Sequence, residues 1–290
     1  MLAFVELVSH AAMRALGARS VFIDTSVARV HAYELRGKGR GTFVLLHGMG
    51  TTSSAYLRVA IDLAKHAERV VLPDLPSHGR SQSLGGSLDR ERLRTGMREA
   101  LDALIHPREP AVVLGTSLGG ATALGYTLER PERVRALVLA SPAGAPLDAE
   151  ELAAIRRRFK LESRADARRF FSELLHEPPL AFVLLEPGLV KQLSSATVQG
   201  FLGSLSEADF FTAAELGTIR CPVHVVWGES DRILPRSGLA FLKRALPPET
   251  SFDEPRALGH SPHLERPKLL VDALLRARER ATGQSSMTGG

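Results

Sequence analysis

The chain has 290 residues, of which 44% are hydrophobic and 24% charged, and its net charge is +5. That length suits one large domain, or one domain carrying an insertion, and the composition excludes a disordered chain. No apolar run reaches the roughly 18–20 residues of a membrane-spanning helix, and a lone cysteine, Cys221, excludes an intrachain disulfide.

Residues 2–18 are rich in Leu, Val, Ala and Phe, with Glu6, His10 and Arg14 recurring every fourth position. This spacing draws a narrow polar stripe along a helix and leaves a wide apolar face. No positive charge precedes the apolar run and Glu6 interrupts it, unlike a secretory signal. The reading is an amphipathic helix over 1–19 of a cytoplasmic protein, docked on the body or in peripheral contact with a membrane.

From about residue 20, strand and helix alternate. Val21–Asp24 and Ala28–Leu35 read as an antiparallel pair, β-branched and separated by turn residues. Thr42–His47, Arg69–Pro73, Ala111–Gly115, Val134–Ala140 and Pro222–Gly228 are short continuous apolar runs, the pattern of strands buried on both faces of a parallel sheet. Helix-length segments lie between or after them, at Thr51–His66, Leu88–Ile105, Leu118–Arg130, Ser237–Ala245 and Pro267–Ala281. Such an order predicts an α/β fold with a mostly parallel sheet wrapped by helices on both faces. Residues 146–217 break the rhythm with helical spacing and no clear strand, so they are expected to form a helical cap. The core then spans 20–145 and 218–282, and 283–290 read as a tail without structure. Cys221 reads as a buried thiol opening a strand, and the arginine-rich stretch from Arg156 to Arg169 as a solvated helix surface.

Gly115-Thr116-Ser117-Leu118-Gly119 fits G-x-S-x-G between a buried strand and a helix. There a sharp turn holds the serine hydroxyl clear of the backbone above a helix N-terminus, which favours an oxyanion. A serine needs a base to take its proton, and the base needs a group to orient it. Asp231, three residues beyond a strand, and His260, just before the last helix, suit those roles; Glu229 and His263 are their competitors. His47-Gly48-Met49-Gly50 ends another strand, and its glycines let the backbone turn toward the serine. The amides of Met49 and Leu118 can then form an oxyanion hole, in which one lost donor costs about 3–4 kcal/mol. His47 reads as a structural residue bonding nearby backbone.

Taken together, HGMG at 47–50, DLPSHGRS at 74–81, GTSLGG at 115–120 and the GESDRILP/GHSPHLERP pair resemble the α/β-hydrolase family over nearly all of residues 20–282. The resemblance implies an α/β-hydrolase fold with nucleophile Ser117, acid Asp231, base His260 and oxyanion amides on Met49 and Leu118. Ser117 separates the chain from dehalogenase and epoxide-hydrolase relatives, which carry aspartate there. HGMG lacks the Gly-Pro extension of many carbon–carbon bond hydrolases, and the chain looks closest to the monoacylglycerol-lipase and esterase branch. The family usually has glycine where Ser77 stands.

Seven of the twelve phenylalanines fall in the insertion. Phe170, Phe171, Phe182, Phe210 and Phe211 are the candidates to line a path to Ser117 for an apolar acyl group. The expected activity is that of an esterase or lipase, hydrolysis of carboxylic esters with apolar acyl groups, monoacylglycerols among the candidates, through an acyl-enzyme; acyl transfer by the same triad, or ligand binding with little turnover, are the alternatives. No metal-ligand spacing, dinucleotide fingerprint or nucleic-acid motif occurs, so no cofactor and no nucleic-acid partner are expected.

Overall fold

The computed structural model describes the backbone of residues 2–287 and the side chains of 8–283. The chain opens with α1 (Leu2–Ala15), β1 (Arg19–Asp24), β2 (Arg29–Arg36) and β3 (Thr42–Leu46). Then follow α2 (Leu57–Leu63), β4 (Arg69–Pro73), α3 (Arg90–Leu104), β5 (Ala111–Ser117), α4 (Leu118–Glu129) and β6 (Val134–Pro142). Five helices come next: α5 (Ala149–Phe159), α6 (Arg164–Leu174), α7 (Glu186–Leu193), α8 (Ala196–Ser204) and α9 (Ala213–Leu216). The chain ends with β7 (Val223–Val226), α10 (Arg236–Ala245), β8 (Ser251–Asp253), α11 (Pro262–Glu265) and α12 (Pro267–Met287).

The strands form one sheet in the order β1-β2-β4-β3-β5-β6-β7-β8. β2 pairs antiparallel with both β1 and β4, and every other pairing is parallel. Strand order reverses between β3 and β5, because β4 lies on one side of β3 and β5 on the other. In open α/β sheets a ligand crevice opens at that reversal, outside the carboxyl ends of the strands. Ser117 ends β5, and Gly48-Met49 follow β3 at the same point.

Burial explains the placement. Every residue of β5 is buried, as a central strand covered on both faces requires, whereas no residue of β1 at the edge is fully buried. One face carries α3, α4 and α10, which place Met97, Leu124 and Leu242 in one core. The other carries α2 and α12, which place Leu63 and Leu274 in a second core together with Met13 of α1. Met13 is fully buried and His10 bonds the Tyr33 hydroxyl at 2.5 Å, so α1 docks on the body. No helix among the described residues is long and apolar enough to cross a membrane.

Helices α5–α9 follow β6 and precede β7; α5–α8 build a third core around Phe159, Phe170, Phe171 and Leu193, and Leu216 of α9 joins the first core. Two arginines on α6 clamp a buried carboxylate: Arg164 and Arg168 each reach Glu186 at 3.0 Å. Their side chains are otherwise exposed, whereas Arg156 bonds the Leu202 and Leu205 carbonyls and Arg158 bonds Glu173 and the Ile233 carbonyl. The arginine-rich stretch is thus a solvated surface in part and anchors the insertion at several points. Capping boxes at Asp148 and Ser163 start α5 and α6 where the sequence changes from turn to helical spacing.

Three boundaries differ from the sequence reading. Residues 53–56 form a 3₁₀ turn, which shortens the helix expected over Thr51–His66 to α2. β8 is a three-residue edge strand, too short for any alternation to show. The last helix continues past Ala281 to Met287, so residues 283–287 are helical rather than a tail, and 288–290 lie outside the described residues.

Candidate active site

Ser117 stands at the β5–α4 junction with φ 53° and ψ −119°, a conformation that L-residues rarely adopt. Holding it costs about 1–3 kcal/mol, so its surroundings must enforce it. Gly119 is one such constraint: a Cβ there would fall 2.2 Å from the Leu46 carbonyl oxygen. Without that side chain, α4 packs directly on the end of β3 and Leu118 opens the helix. The Leu118 N–H therefore lies in the first turn, where no helical carbonyl can take it.

His260 and Asp231 meet as a buried pair, with Nδ1 of the ring 2.7 Å from an Asp231 carboxylate oxygen. The other carboxylate oxygen accepts the backbone N–H groups of Ile233 at 2.8 Å and Leu234 at 3.2 Å. Burial alone would raise the Asp231 carboxyl, but the His260 ring, the Ser141 hydroxyl and the Ile233 amide together hold it below the ordinary carboxylate range. With Asp231 ionised, Nδ1 of His260 carries the proton and Nε2 is left free to accept one. The end of α6 braces both loops, since carbonyls of Glu173 and Leu174 accept from the N–H groups of Arg232 and His260. Ser117 and His260 border one cavity, which also touches Gly48, Met49 and Ser261.

The competitors stand elsewhere. Glu229 is exposed, and His263 is buried with its ring 4.7 Å from that of Tyr56 and no partner on Nδ1. His47 is structural, as expected: its Nε2 accepts the Leu75 N–H at 3.0 Å, so Nδ1 donates to the Gly48 carbonyl at 2.8 Å. That ring ties the Gly48-Met49 turn to the end of β4. The turn runs directly past the serine, since a Cβ on Gly48 would be 3.2 Å from that of Ser117.

A support that sequence reading missed lies behind this turn. The Asp74 carboxylate accepts the N–H groups of Ser53 at 2.8 Å and Arg80 at 3.0 Å, and pairs with His31 at 2.8 Å. Burial opposes its charge, yet His31, His47 and these amides hold it down at about 2. Gly79 must be glycine here, because a Cβ would collide with the carboxylate. Ser77 occupies φ 64°, which accounts for the glycine usual at that position, and its hydroxyl compensates by accepting the Leu84 N–H at 2.8 Å. Cys221 is half-buried just ahead of β7, and burial pushes its thiol up to about 11, which leaves no thiolate at neutral pH.

All five candidate phenylalanines line cavities that reach Ser117. Phe170, Phe171 and Phe182 border the one shared with His260, and Phe210 and Phe211 border a second. Phe159, Phe201, Met97 and Trp227 join the lining without having been marked for it in the sequence. Among the described residues no cluster of His, Cys, Asp and Glu has the arrangement of a metal site.

A family model described as the alpha/beta hydrolase family matches residues 43–273. The chain belongs to that family. It is 30% identical over 244 residues to a pimeloyl-[acyl-carrier protein] methyl ester esterase of Chromobacterium violaceum, covering 80% of this chain and 91% of the relative. It is 28% identical over 224 residues to a 2-hydroxy-6-oxononadienedioate/2-hydroxy-6-oxononatrienedioate hydrolase of Paraburkholderia phymatum, covering 71% and 76%. The crystal structure of a bacterial membrane phospholipase A superposes with a TM-score of 0.81 at 23% identity, covering 97% of this chain and 92% of the other. The last likeness is one of fold. The first two are to hydrolases within the family.

Buried histidines beside the site contribute to how this hydrolase fold responds to acid, His78 and His263 among them. Burial pushes the His78 ring down to about 4 and the His263 ring down to about 3. Both are neutral when folded at neutral pH, whereas an unfolded histidine takes its proton near 6.5. The stability that depends on them is intact above about 6.5 and is lost as pH falls toward 4 and then 3. Melting temperature measured from pH 8 to pH 4 should therefore decline below about 6.5, and His263→Phe should make that decline shallower. An unchanged slope in the variant would contradict this origin.

Proposed function

We propose that the protein hydrolyses carboxylic esters with apolar acyl groups through an acyl-enzyme on Ser117. The observation that carries this reading is His260, paired with buried Asp231, bordering the same apolar cavity as a serine held at φ 53°. In the first half-reaction the Ser117 hydroxyl attacks the ester carbonyl while Nε2 of His260 takes its proton. Charge that develops on the carbonyl oxygen is met by the N–H groups of Met49 and Leu118. His260 then gives the proton to the departing alcohol, and water repeats the sequence to release the acid. Asp231 keeps the ring in the tautomer this requires and offsets the positive charge it acquires.

The apolar lining favours a substrate whose acyl group is hydrocarbon, glycerides included. The relatives carry named activities on a methyl ester and on oxo-dienedioates. The second kind of substrate bears carboxylates, whereas Met49, Phe159 and Ile233, which border both cavities at Ser117, are apolar; Arg90, Arg94 and Arg98 also border one of these cavities. The experiment that tests the proposal is a panel of p-nitrophenyl esters, monoacylglycerols, amides, thioesters and a carbon–carbon cleavage substrate. Turnover on the oxygen esters at least tenfold above the rest is the expected result. Preference for carbon–carbon cleavage, or labelling of Ser117 by a fluorophosphonate without any ester turnover, would overturn it.

A further inference from the structure

Ser117 lies between two cavities of nearly equal size. One, of about 220 Å³, follows a single face of α4 past Ala121 and Gly125, with Met97, Phe201, Phe211 and Trp227 among its walls and Arg90, Arg94 and Arg98 of α3 also bordering it. The second, of about 230 Å³, is enclosed by Phe170, Phe171, Phe182, Leu185 and Leu189 of the insertion. Met49, Phe159 and Ile233 border both and so form the waist between them. His260 borders only the second, and Leu118 only the first.

We infer that the substrate is an ester with two apolar halves, its acyl chain in the α4 tunnel and its alcohol in the Phe171–Leu185 cavity. The inference rests on the proposed ester hydrolysis, and proton transfer fixes the direction. In the acylation step the bond from Ser117 Oγ to the carbonyl carbon forms and the bond from that carbon to the ester oxygen breaks. The proton taken from Ser117 by His260 goes to that same ester oxygen, which leaves as the alcohol. The ester oxygen must therefore face His260, and the alcohol behind it enters the cavity that His260 borders. The acyl chain lies across the carbonyl from the leaving oxygen, which sends it past Leu118 into the other cavity.

Volume then defines the substrate class. A methyl alcohol would leave most of the second cavity unfilled and forgo its contacts with Phe171 and Phe182, whose rings meet edge to face at 5.0 Å. Each methylene placed there instead adds contact and removes apolar surface from water. The acyl tunnel has a comparably firm wall. Phe211 donates its N–H to the Gly144 carbonyl at 2.9 Å, and a Cβ on Gly125 would stand 3.8 Å from the Phe211 ring. At 1.5 Å per helical residue, Gly125 lies about 10 Å along α4 from Leu118, deep enough to meet a long acyl chain but not a short one.

Two variants read the two halves separately. Gly125→Leu narrows the distal tunnel at a helical position where leucine is the better helix former. Leu185→Trp narrows the other cavity from a partly exposed position that can accept a larger ring. Both are compared with the unaltered enzyme on methyl butanoate, methyl decanoate and hexyl butanoate, and on the rate at which a decanoyl-enzyme releases decanoate. The unaltered enzyme should favour both extended esters over methyl butanoate. Gly125→Leu should lower kcat/KM on methyl decanoate roughly tenfold or more, slow decanoate release, and leave hexyl butanoate within about twofold. Leu185→Trp should do the reverse and leave decanoate release unchanged, because the alcohol has already gone.

Exchanged effects, or each variant impairing both extended esters alike, would overturn the assignment. Hydrolysis of all three esters without preference for the extended ones would overturn the two-halved substrate while leaving ester hydrolysis standing. No hydrolysis of any of them by the unaltered enzyme would overturn the proposed function itself.

Discussion

Ser117→Ala is expected to give a folded protein with ester turnover reduced by about 10⁴–10⁶. The loss is that large because in the proposed mechanism the hydroxyl forms the covalent bond, and neither His260 nor the proposed oxyanion amides can replace it. Stability should change little. Alanine inherits the same strained backbone at φ 53°, and the neighbours that enforce it, Gly119 against the Leu46 carbonyl among them, are untouched. Circular dichroism and a melting curve establish the fold, and a p-nitrophenyl ester establishes the activity. A well-folded variant that kept more than a few per cent of turnover would remove Ser117 as the nucleophile.

His260→Ala should be nearly as damaging, because members of such a triad act as a unit and their losses do not add. It also leaves the Asp231 carboxylate with the backbone donors of Ile233 and Leu234 and the Ser141 hydroxyl but without its charge partner. His263→Ala makes the useful contrast. It removes a buried ring packed on Tyr56 and should cost stability, about 3 kcal/mol by analogy with other large-to-small core changes. Yet His263 touches no carboxylate, and its burial keeps the ring uncharged, so kcat measured well below the melting temperature should fall less than about tenfold. A reversed ranking of the two variants would move the base to His263.

Much of this site was legible from the chain because its chemistry constrains backbone as well as side chains. The G-x-S-x-G turn demands small residues where α4 crosses β3, and that demand appears in the sequence as glycines at fixed spacing after an apolar strand. Asp231 and His260 were legible for a related reason: each follows a strand or precedes a helix at the carboxyl edge of the sheet, where loops converge. Their mutual bond confirms only placement, and the roles rest on the experiments above. The phenylalanines of the insertion could be marked as candidates, but not sorted. Which of them face the His260 cavity and which face α4 depends on how five short helices pack, and periodicity within each helix does not encode that.

Other features were legible only in part or not at all. Asp74 opens the DLPSHGRS stretch, but its role shows only once the fold brings His31, Ser53 and Arg80 around it. Trp227 ends an apolar strand like any core residue, although it lines the cavity that runs from Ser117 along α4. β8 is three residues long, and its pairing with β7 comes from position at the sheet edge rather than from pattern. The helical continuation to Met287 ran against a composition of small polar residues, for which a loop was the simpler reading.

The central claim is that an ester passes through a covalent bond to Ser117. It is tested most directly by mixing the enzyme with a p-nitrophenyl ester, quenching in acid within milliseconds to seconds, and mapping the modified peptide by mass. The account predicts a burst of p-nitrophenol with an acyl group on the peptide containing Ser117, formed and lost at rates consistent with turnover and absent from Ser117→Ala. Steady ester hydrolysis with no adduct under any quench time, together with retained turnover in Ser117→Ala, would contradict it.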